Sequence, residues 1–293
     1  MSKTPTIMPN LKAPLRWAKR DEILRMGLIS YVGFQSTPDF TWLSPYHKQY
    51  PEDALMFERV MTRQYLEDTA TACIVIEDTP MADEASFSDA IVPADDPAVA
   101  SSVKGKQDSE NVVVGFAIWS LENDSVVERV EQYRMKHETD DSSWPNIPAT
   151  PFECLKRDQH QDHGRILGNL QYNLVRKHLT DCGLRLQMLV VHPAYQRRGH
   201  SKALLNWGME FAKLDIEPVG VVAADSGMPL YAAMGWVSIH PYEVAGDEIA
   251  PEGTKGCIMK FYPQIEQGSE ILLNSGRSSR NRSSSRVAVR ANN

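Results

Sequence analysis

Leu189-Val190-Val191-His192-Pro193-Ala194-Tyr195-Gln196-Arg197-Arg198-Gly199-His200-Ser201-Lys202-Ala203-Leu204-Leu205 is the stretch on which the fold turns. The apolar run 186–191 reads as a buried strand, and 202–213 carries apolar residues at helical spacing. Between them lies a short turn with one glycine, Gly199. A strand that empties through such a turn into a helix aims several backbone N–H groups at one spot. The helix N-terminus adds partial positive charge there. A diphosphate suits that spot, and Arg197 and Arg198 strengthen the assignment because guanidinium groups pair with phosphate oxygens. Alone, the turn is a weak signal. A dinucleotide fold would need Gly-x-Gly-x-x-Gly and a P-loop would need Gly-Lys-Ser/Thr, and neither is present. A surface turn with solvated arginines stays open at this point.

Upstream, residues 15–18 form a strand candidate and 21–31 a helix that Asp21 is placed to cap. A second helix, 51–66, opens on Pro51, and 71–76 is a strand. Residues 78–110 then carry eight acids against two lysines among Pro, Ser and Ala, which predicts a disordered acidic insertion. Residues 111–121 form a strong strand that would pair antiparallel with 71–76 across that insertion. Residues 123–160 read as a second, irregular insertion containing a helix at 125–137. A helix over 164–180 stops near Gly183. Downstream of the opening stretch come a strand at 218–224, a short helix at 229–234, and strands at 236–240 and 256–262. These elements make one domain over 15–265, between a flexible N-terminus, 1–14, and a disordered Ser/Arg tail, 266–293.

The 293 residues are 42% hydrophobic and 24% charged, as in an ordinary soluble globular protein. The net charge of −7 argues against a nucleic-acid partner. Five arginines and two glutamates in the tail give it +3 and leave −10 on the rest. The four cysteines form no C-x-x-C pair, which argues against zinc or a disulfide framework and suits a reducing compartment. No apolar run at the N-terminus reads as a signal peptide, and none approaches the ~20 residues of a membrane span. The expected location is cytoplasmic, with the tail arginines leaving a nuclear address as the alternative.

The opening stretch resembles the acyl-CoA-binding core of the Gcn5-related N-acetyltransferases, the GNAT superfamily. That pattern is a strand ending in Val-x-Pro, a short link, then Gln/Arg-x-x-Gly-x-Gly/Ala opening a helix. Gln196, Gly199 and Ser201 occupy its three defining positions, with Ser201 departing from the usual Gly or Ala. A second stretch, Ala224-Asp225-Ser226-Gly227-Met228-Pro229-Leu230-Tyr231-Ala232-Ala233-Met234-Gly235-Trp236, is similar to the later family motif Leu-Tyr-x-x-x-Gly-Phe/Trp. The long, loop-rich plan resembles fungal members of the superfamily. The resemblance implies an α+β fold: a mixed, mostly antiparallel sheet flanked by helices, with two parallel strands splayed apart, here 185–192 and 218–224. It implies acetyl-CoA as co-substrate and no metal. Backbone groups of Leu189 and Val191 would pair with the pantetheine amides, and the Val191 N–H would stabilise the oxyanion. Gln196, Arg197, Arg198, Gly199, His200 and Ser201 would hold the pyrophosphate. Tyr231 would act as general acid on the departing thiolate.

The implied reaction is direct attack of a primary amine on the thioester in a ternary complex, with proximity as a large contribution. An alkylamine of pKa ~10.4 is protonated at pH 7, a penalty of ~4–5 kcal/mol, so its proton needs an acceptor. The strand 185–190 holds no carboxylate. His192, Asp225, Glu77 and Asp78 are the weaker candidates, and water is another. Trp17, Trp42, Trp119 and Trp236 read as core or cleft walls, and His160-Gln161-Asp162-His163 as a solvated loop. The insertions favour a small-molecule acceptor. A protein or peptide N-acetyltransferase and a non-catalytic acyl-CoA-binding protein are the alternatives.

Overall fold

A computed structural model describes residues 11–93, 95–99, 111–137, 142–215 and 217–263. Seven strands form one sheet: β1 (Leu15–Trp17), β2 (Thr71–Asp78), β3 (Val112–Leu121), β4 (Leu184–Val191), β5 (Val219–Ala224), β6 (Val237–Val244) and β7 (Thr254–Phe261). Their order is β1-β2-β3-β4-β5-β7-β6. Every neighbouring pair is antiparallel except β4 and β5. The helices are α1 (Ile23–Phe34), α2 (Pro38–Leu43), α3 (Pro51–Glu67), α4 (Asp124–His137), α5 (Gln161–His178), α6 (His200–Asp215) and α7 (Met228–Ala233). This is the mixed, mostly antiparallel α+β architecture expected.

Side chains alternate across a strand, so β2, β3 and β4 feed two cores. On one face Trp119, Leu186 and Val191 pack with Leu204, Leu205, Trp207 and Phe211 of α6. On the other, Val75, Phe116, Ile118 and Val190 pack with Met26 and Ile29 of α1. Two glycines set the helix-to-sheet distances. A Cβ at Gly33 would collide with the Val190 side chain, and one at Gly208 with the Trp119 ring. Trp17, Trp42, Trp119 and Trp236 are all buried.

The acidic insertion departs from expectation. Glu84 is 2% exposed and binds Arg25 through both oxygens, at 2.6 and 2.8 Å. Asp96 does the same for Arg59 on α3, at 2.7 and 2.8 Å. Two buried ion pairs therefore pin residues 79–93 and 95–99 across α1 and α3. Composition suggested disorder because it counts acids without seeing their partners. Residues 94, 100–110, the tail from 264 and residues 1–10 lie outside the described residues. Within the segment expected to be flexible, Leu11 packs on the core. The irregular insertion holds the expected helix, α4, and ends on the buried Asp158. Helix α2 escaped the sequence reading because six residues are too few to show a period. Its signal was Pro38 at the first turn. Asp21 does not cap α1 but lies in a short turn, Arg20–Glu22, where Glu22 accepts the Lys19 N–H at 2.8 Å.

Candidate active site

β4 and β5 pair only at Leu184–Val219, Arg185–Gly220 and Leu186–Val221. Beyond that point β4 continues against β3 alone as far as Val191, and β5 against β7 alone as far as Ala224. A wedge opens between two parallel strands. A register shift between Ile118 and Trp119 on β3 leaves Gln187 as the extra residue of β4, at the mouth of the wedge. The His192 N–H donates to the Val114 carbonyl at 2.8 Å. Alternation along an antiparallel ladder then turns the backbone groups of 190 and 192 toward β3, and those of Leu189 and Val191 toward the wedge. The two residues assigned to the pantetheine contact thus face the gap.

After β4 the chain makes a short turn, Pro193–Tyr195, and enters the loop of Gln196, Arg197, Arg198 and Gly199. Arg197 has φ 64° and Gly199 φ 91°. Positive φ at both positions turns successive amides to one side, the arrangement that makes an anion-binding nest. A Cβ at Gly199 would meet no atom within 4 Å, so the space beside the loop is open. The first bond into α6 is Ala203 N–H to Gly199 carbonyl at 3.1 Å. The N–H groups of His200, Ser201 and Lys202 precede it and lie outside the helical ladder. No acidic residue stands in that first turn to compete with an anion.

Two loop side chains have work inside the protein. Gln196 does not reach toward the loop's open side. Its amide donates to the Val191 carbonyl at 3.1 Å, which fixes the orientation of the peptide at the end of β4. Arg198 spreads over the Tyr195 ring, 5.2 Å from its centroid, and donates to Asp78 at 3.1 Å. His200 meets the same Asp78 oxygen at 3.0 Å. Burial works to raise Asp78, but the Thr79 N–H, His200 and Arg198 outweigh it and hold the carboxylate below its usual range. Asp78 is therefore an anchor of the 196–200 loop and not a proton acceptor beside the wedge. Arg197 is exposed.

Tyr231 lies on α7, 7% exposed, with its ring 5.5 Å from that of Trp236. Gly227 packs on the ring: a Cβ there would sit 2.9 Å from the Tyr231 Cε2. Burial alone raises the phenol, so it stays protonated across the neutral range. Tyr231 shares a core cluster with Val191 and Ala194, on the α6 face of the sheet.

The proton acceptors suggested from sequence do not gather here. His192 is 2% exposed, and its Nδ1 accepts the Ala194 N–H at 3.2 Å. Burial lowers it to about 4, so it is neutral and occupied. Glu77 binds Arg16 at 2.7 Å on the far edge of the sheet. Asp225 is exposed and lies 3.6 Å from Lys255. His163 is no solvated loop residue. It is buried, stacked on Trp42 at 3.9 Å and bonded to the Trp42 carbonyl and Asp247, each at 2.7 Å. Among the described residues no group of three or more His, Cys, Asp or Glu could hold a metal.

Residues 160–250 match the family model for the acetyltransferase (GNAT) domain. The match spans α5, β4, the loop, α6, β5, α7 and β6. A protein named "Acetyltransferase" from Stachybotrys chartarum is 28% identical over 239 residues, 81% of this chain and 84% of that one. A histone acetyltransferase HPA2 and related acetyltransferase from Corynebacterium glutamicum superposes with TM-score 0.46 and 15% identity, covering 86% of this chain and 97% of that one. Arabidopsis thaliana NAA60, solved with a bisubstrate analogue, gives TM-score 0.35 and 10% identity over 71% and 84%. Neither superposition is close enough to support a conclusion about chemistry. The domain match over residues 160–250, the named relative and the wedge beside the loop agree: this part of the chain is similar to the GNAT acetyltransferase domain.

Proposed function

We propose that the protein transfers an acetyl group from acetyl-CoA to the primary amine of a small molecule, by direct attack in a ternary complex. The observation that carries this is the loss of β4–β5 pairing after Leu186 and Val221, with the 196–200 loop at the same end of the sheet. One ligand with a diphosphate at one end and amide groups along an extended arm fits both features. Arg197, Gly199, His200 and Ser201 would hold the diphosphate through backbone amides, with Arg198 freed from Asp78 when phosphate offers a stronger anion. Leu189 would hold the arm, and the Val191 N–H the thioester oxygen, its peptide plane fixed by Gln196.

The acceptor nitrogen attacks the carbonyl carbon, the C–N bond forms, and the C–S bond breaks. Tyr231 supplies the proton that the departing sulfur takes. A small acceptor is favoured because residues 79–93 and 95–99 are fixed across α1 and α3, where an extended peptide would need an open groove. The four free cysteines fit a reducing compartment.

A thiol-release assay with acetyl-CoA against alkylamines, amino acids, aminoglycosides, arylamines and histone peptides tests the assignment. Small amines are expected to turn over and histone peptides to be poor substrates. Tyr231→Phe should lower kcat about 100-fold and leave acetyl-CoA affinity unchanged. Calorimetry that detects no binding of acetyl-CoA or CoA to the folded protein would overturn it.

A further inference from the structure

We propose that the acceptor approaches β4 as an aliphatic ammonium ion from the side where Ser30 of α1 and Glu58 of α3 meet Met188, that Glu58 takes its proton, and that Asp158 draws the cation in. This rests on the acetyltransferase assignment and supplies its missing proton acceptor and its substrate class.

The geometry starts at Ser30 on α1. Its hydroxyl donates to Glu58 Oε2 on α3 and lies 3.7 Å from the Met188 sulfur on β4. Met188 belongs to the part of β4 that has parted from β5, next to Leu189. Met188 and Val190 pack on the α1 face, whereas Val191 packs on the α6 face. Glu58 therefore approaches the wedge from the side opposite the phosphate loop. An amine arriving past Glu58 meets the thioester from the face the cofactor leaves open.

Asp158 gives the independent sign of a cation. It is 1% exposed, and neither carboxylate oxygen has a hydrogen-bond partner among the described residues. Burial pushes its carboxyl up from the usual range, and the Ser44 hydroxyl and the residue's own N–H act against that rise without cancelling it. Nearby Asp53 is satisfied by Arg157, at 2.8 Å through both oxygens. The Lys156 ammonium sits over the Phe57 and Phe152 rings, at 5.6 and 5.5 Å. A buried carboxylate without a close cation is costly, and such groups persist where a ligand completes them.

The charges around Glu58 set its basicity. Burial pushes it up to about 7, the Ser30 hydroxyl pulls it down, and Asp158 pushes it up again. Tyr31 on α1 also feels Asp158, and Tyr65 on α3 faces Glu58, Arg185 and Cys73. A carboxylate titrating near 7 is suited to accept a proton at neutral pH. The ammonium gives one proton to Glu58, and the neutral amine attacks. Its second proton leaves to water as the C–N bond forms. The sulfur is protonated by Tyr231, which recovers a proton from water, and Glu58 returns its own. One proton is released per turnover, as amide formation from an ammonium requires.

The test is the pH profile of kcat/KM with acetyl-CoA and butylamine, hexylamine or 1,4-diaminobutane, with aniline as the acceptor that brings no ammonium. The rate with alkylamines should rise through an inflection near 7. Glu58→Gln should remove that limb and lower the pH 7.5 rate at least 100-fold. The same variant should lose far more of its rate with the alkylamines than with aniline, and should leave acetyl-CoA affinity unchanged. Asp158→Asn should move the limb to lower pH and Ser30→Ala to higher pH. A limb near 7 that survives in Glu58→Gln overturns the proposal, as does an unmoved limb in both tuning variants. A wild-type protein that binds acetyl-CoA yet acetylates no alkylamine also overturns it. Failure to bind acetyl-CoA instead brings down the assignment beneath it.

Discussion

His192 shows how one residue can carry a sequence signal and then do something else. Its ordinary pKa made it a candidate base, but the fold buries it and uses Nδ1 as an acceptor for the turn that leads into the 196–200 loop. Burial lowers it from 6.5 to about 4, Glu84 opposes that fall, and Arg25 adds to it. A depressed folded value favours the neutral ring. Its contribution to stability is complete above about pH 6.5 and is lost as the pH falls toward 4. The full loss is about 3 kcal/mol. Urea midpoints at pH 7 and pH 4.5 should therefore differ more for the wild type than for His192→Asn, which keeps a turn acceptor but cannot titrate. Equal drops in the two proteins would remove His192 from the acid sensitivity. Gln196 is a second case. Its place in the motif was legible, but its bond to the Val191 carbonyl was not, because that depends on the bend of the chain between them.

At the scale of elements, legibility followed the range of the interactions. The α6 period, the β4 run and the turn at Gly199 are local, so they could be read from the chain. The Gln187 bulge and the end of β4–β5 pairing are set by partners far off in sequence, and only the family resemblance anticipated the splay. The insertion shows the failure most clearly. Arg25 and Arg59 carry no mark that they will meet acids 59 and 37 residues away. Once buried, each pair resists removal of one member, because the other charge is left without compensation. Glu84→Ala should cost about 3–5 kcal/mol in urea unfolding. It should also open 79–99 to limited proteolysis below the global transition. Arg25→Met combined with Glu84→Leu should recover much of that loss, since an apolar pair of similar volume leaves no bare charge. A double variant as weak as the single one would mean that the segment is held by hydrogen bonds, such as Arg25 to the Val113 carbonyl, and not by the pair.

For the whole molecule, the sheet acts as a partition. The 196–200 loop, α6 and Tyr231 lie on its one face, and α1, α3 and the pinned insertion on its other, with the β4–β5 wedge as the opening between them. On the proposed assignment such a layout would separate the binding of the two substrates. The donor side should respond to acetyl-CoA whether or not the acceptor side is intact. Ligand at 100 times its Kd stabilises the folded state by ~2.7 kcal/mol. For a chain of this size that is a rise in Tm of about 5 °C. Glu58→Gln should show the full rise. Gly199→Val should show little or none, because a branched side chain at φ 91° is strained and fills the space beside the amides. NADH should give no shift with any variant, since the loop lacks the further glycines a dinucleotide needs. A rise lost in Glu58→Gln would mean that the two faces are coupled through Met188 and Leu189, and that donor and acceptor bind in a fixed order.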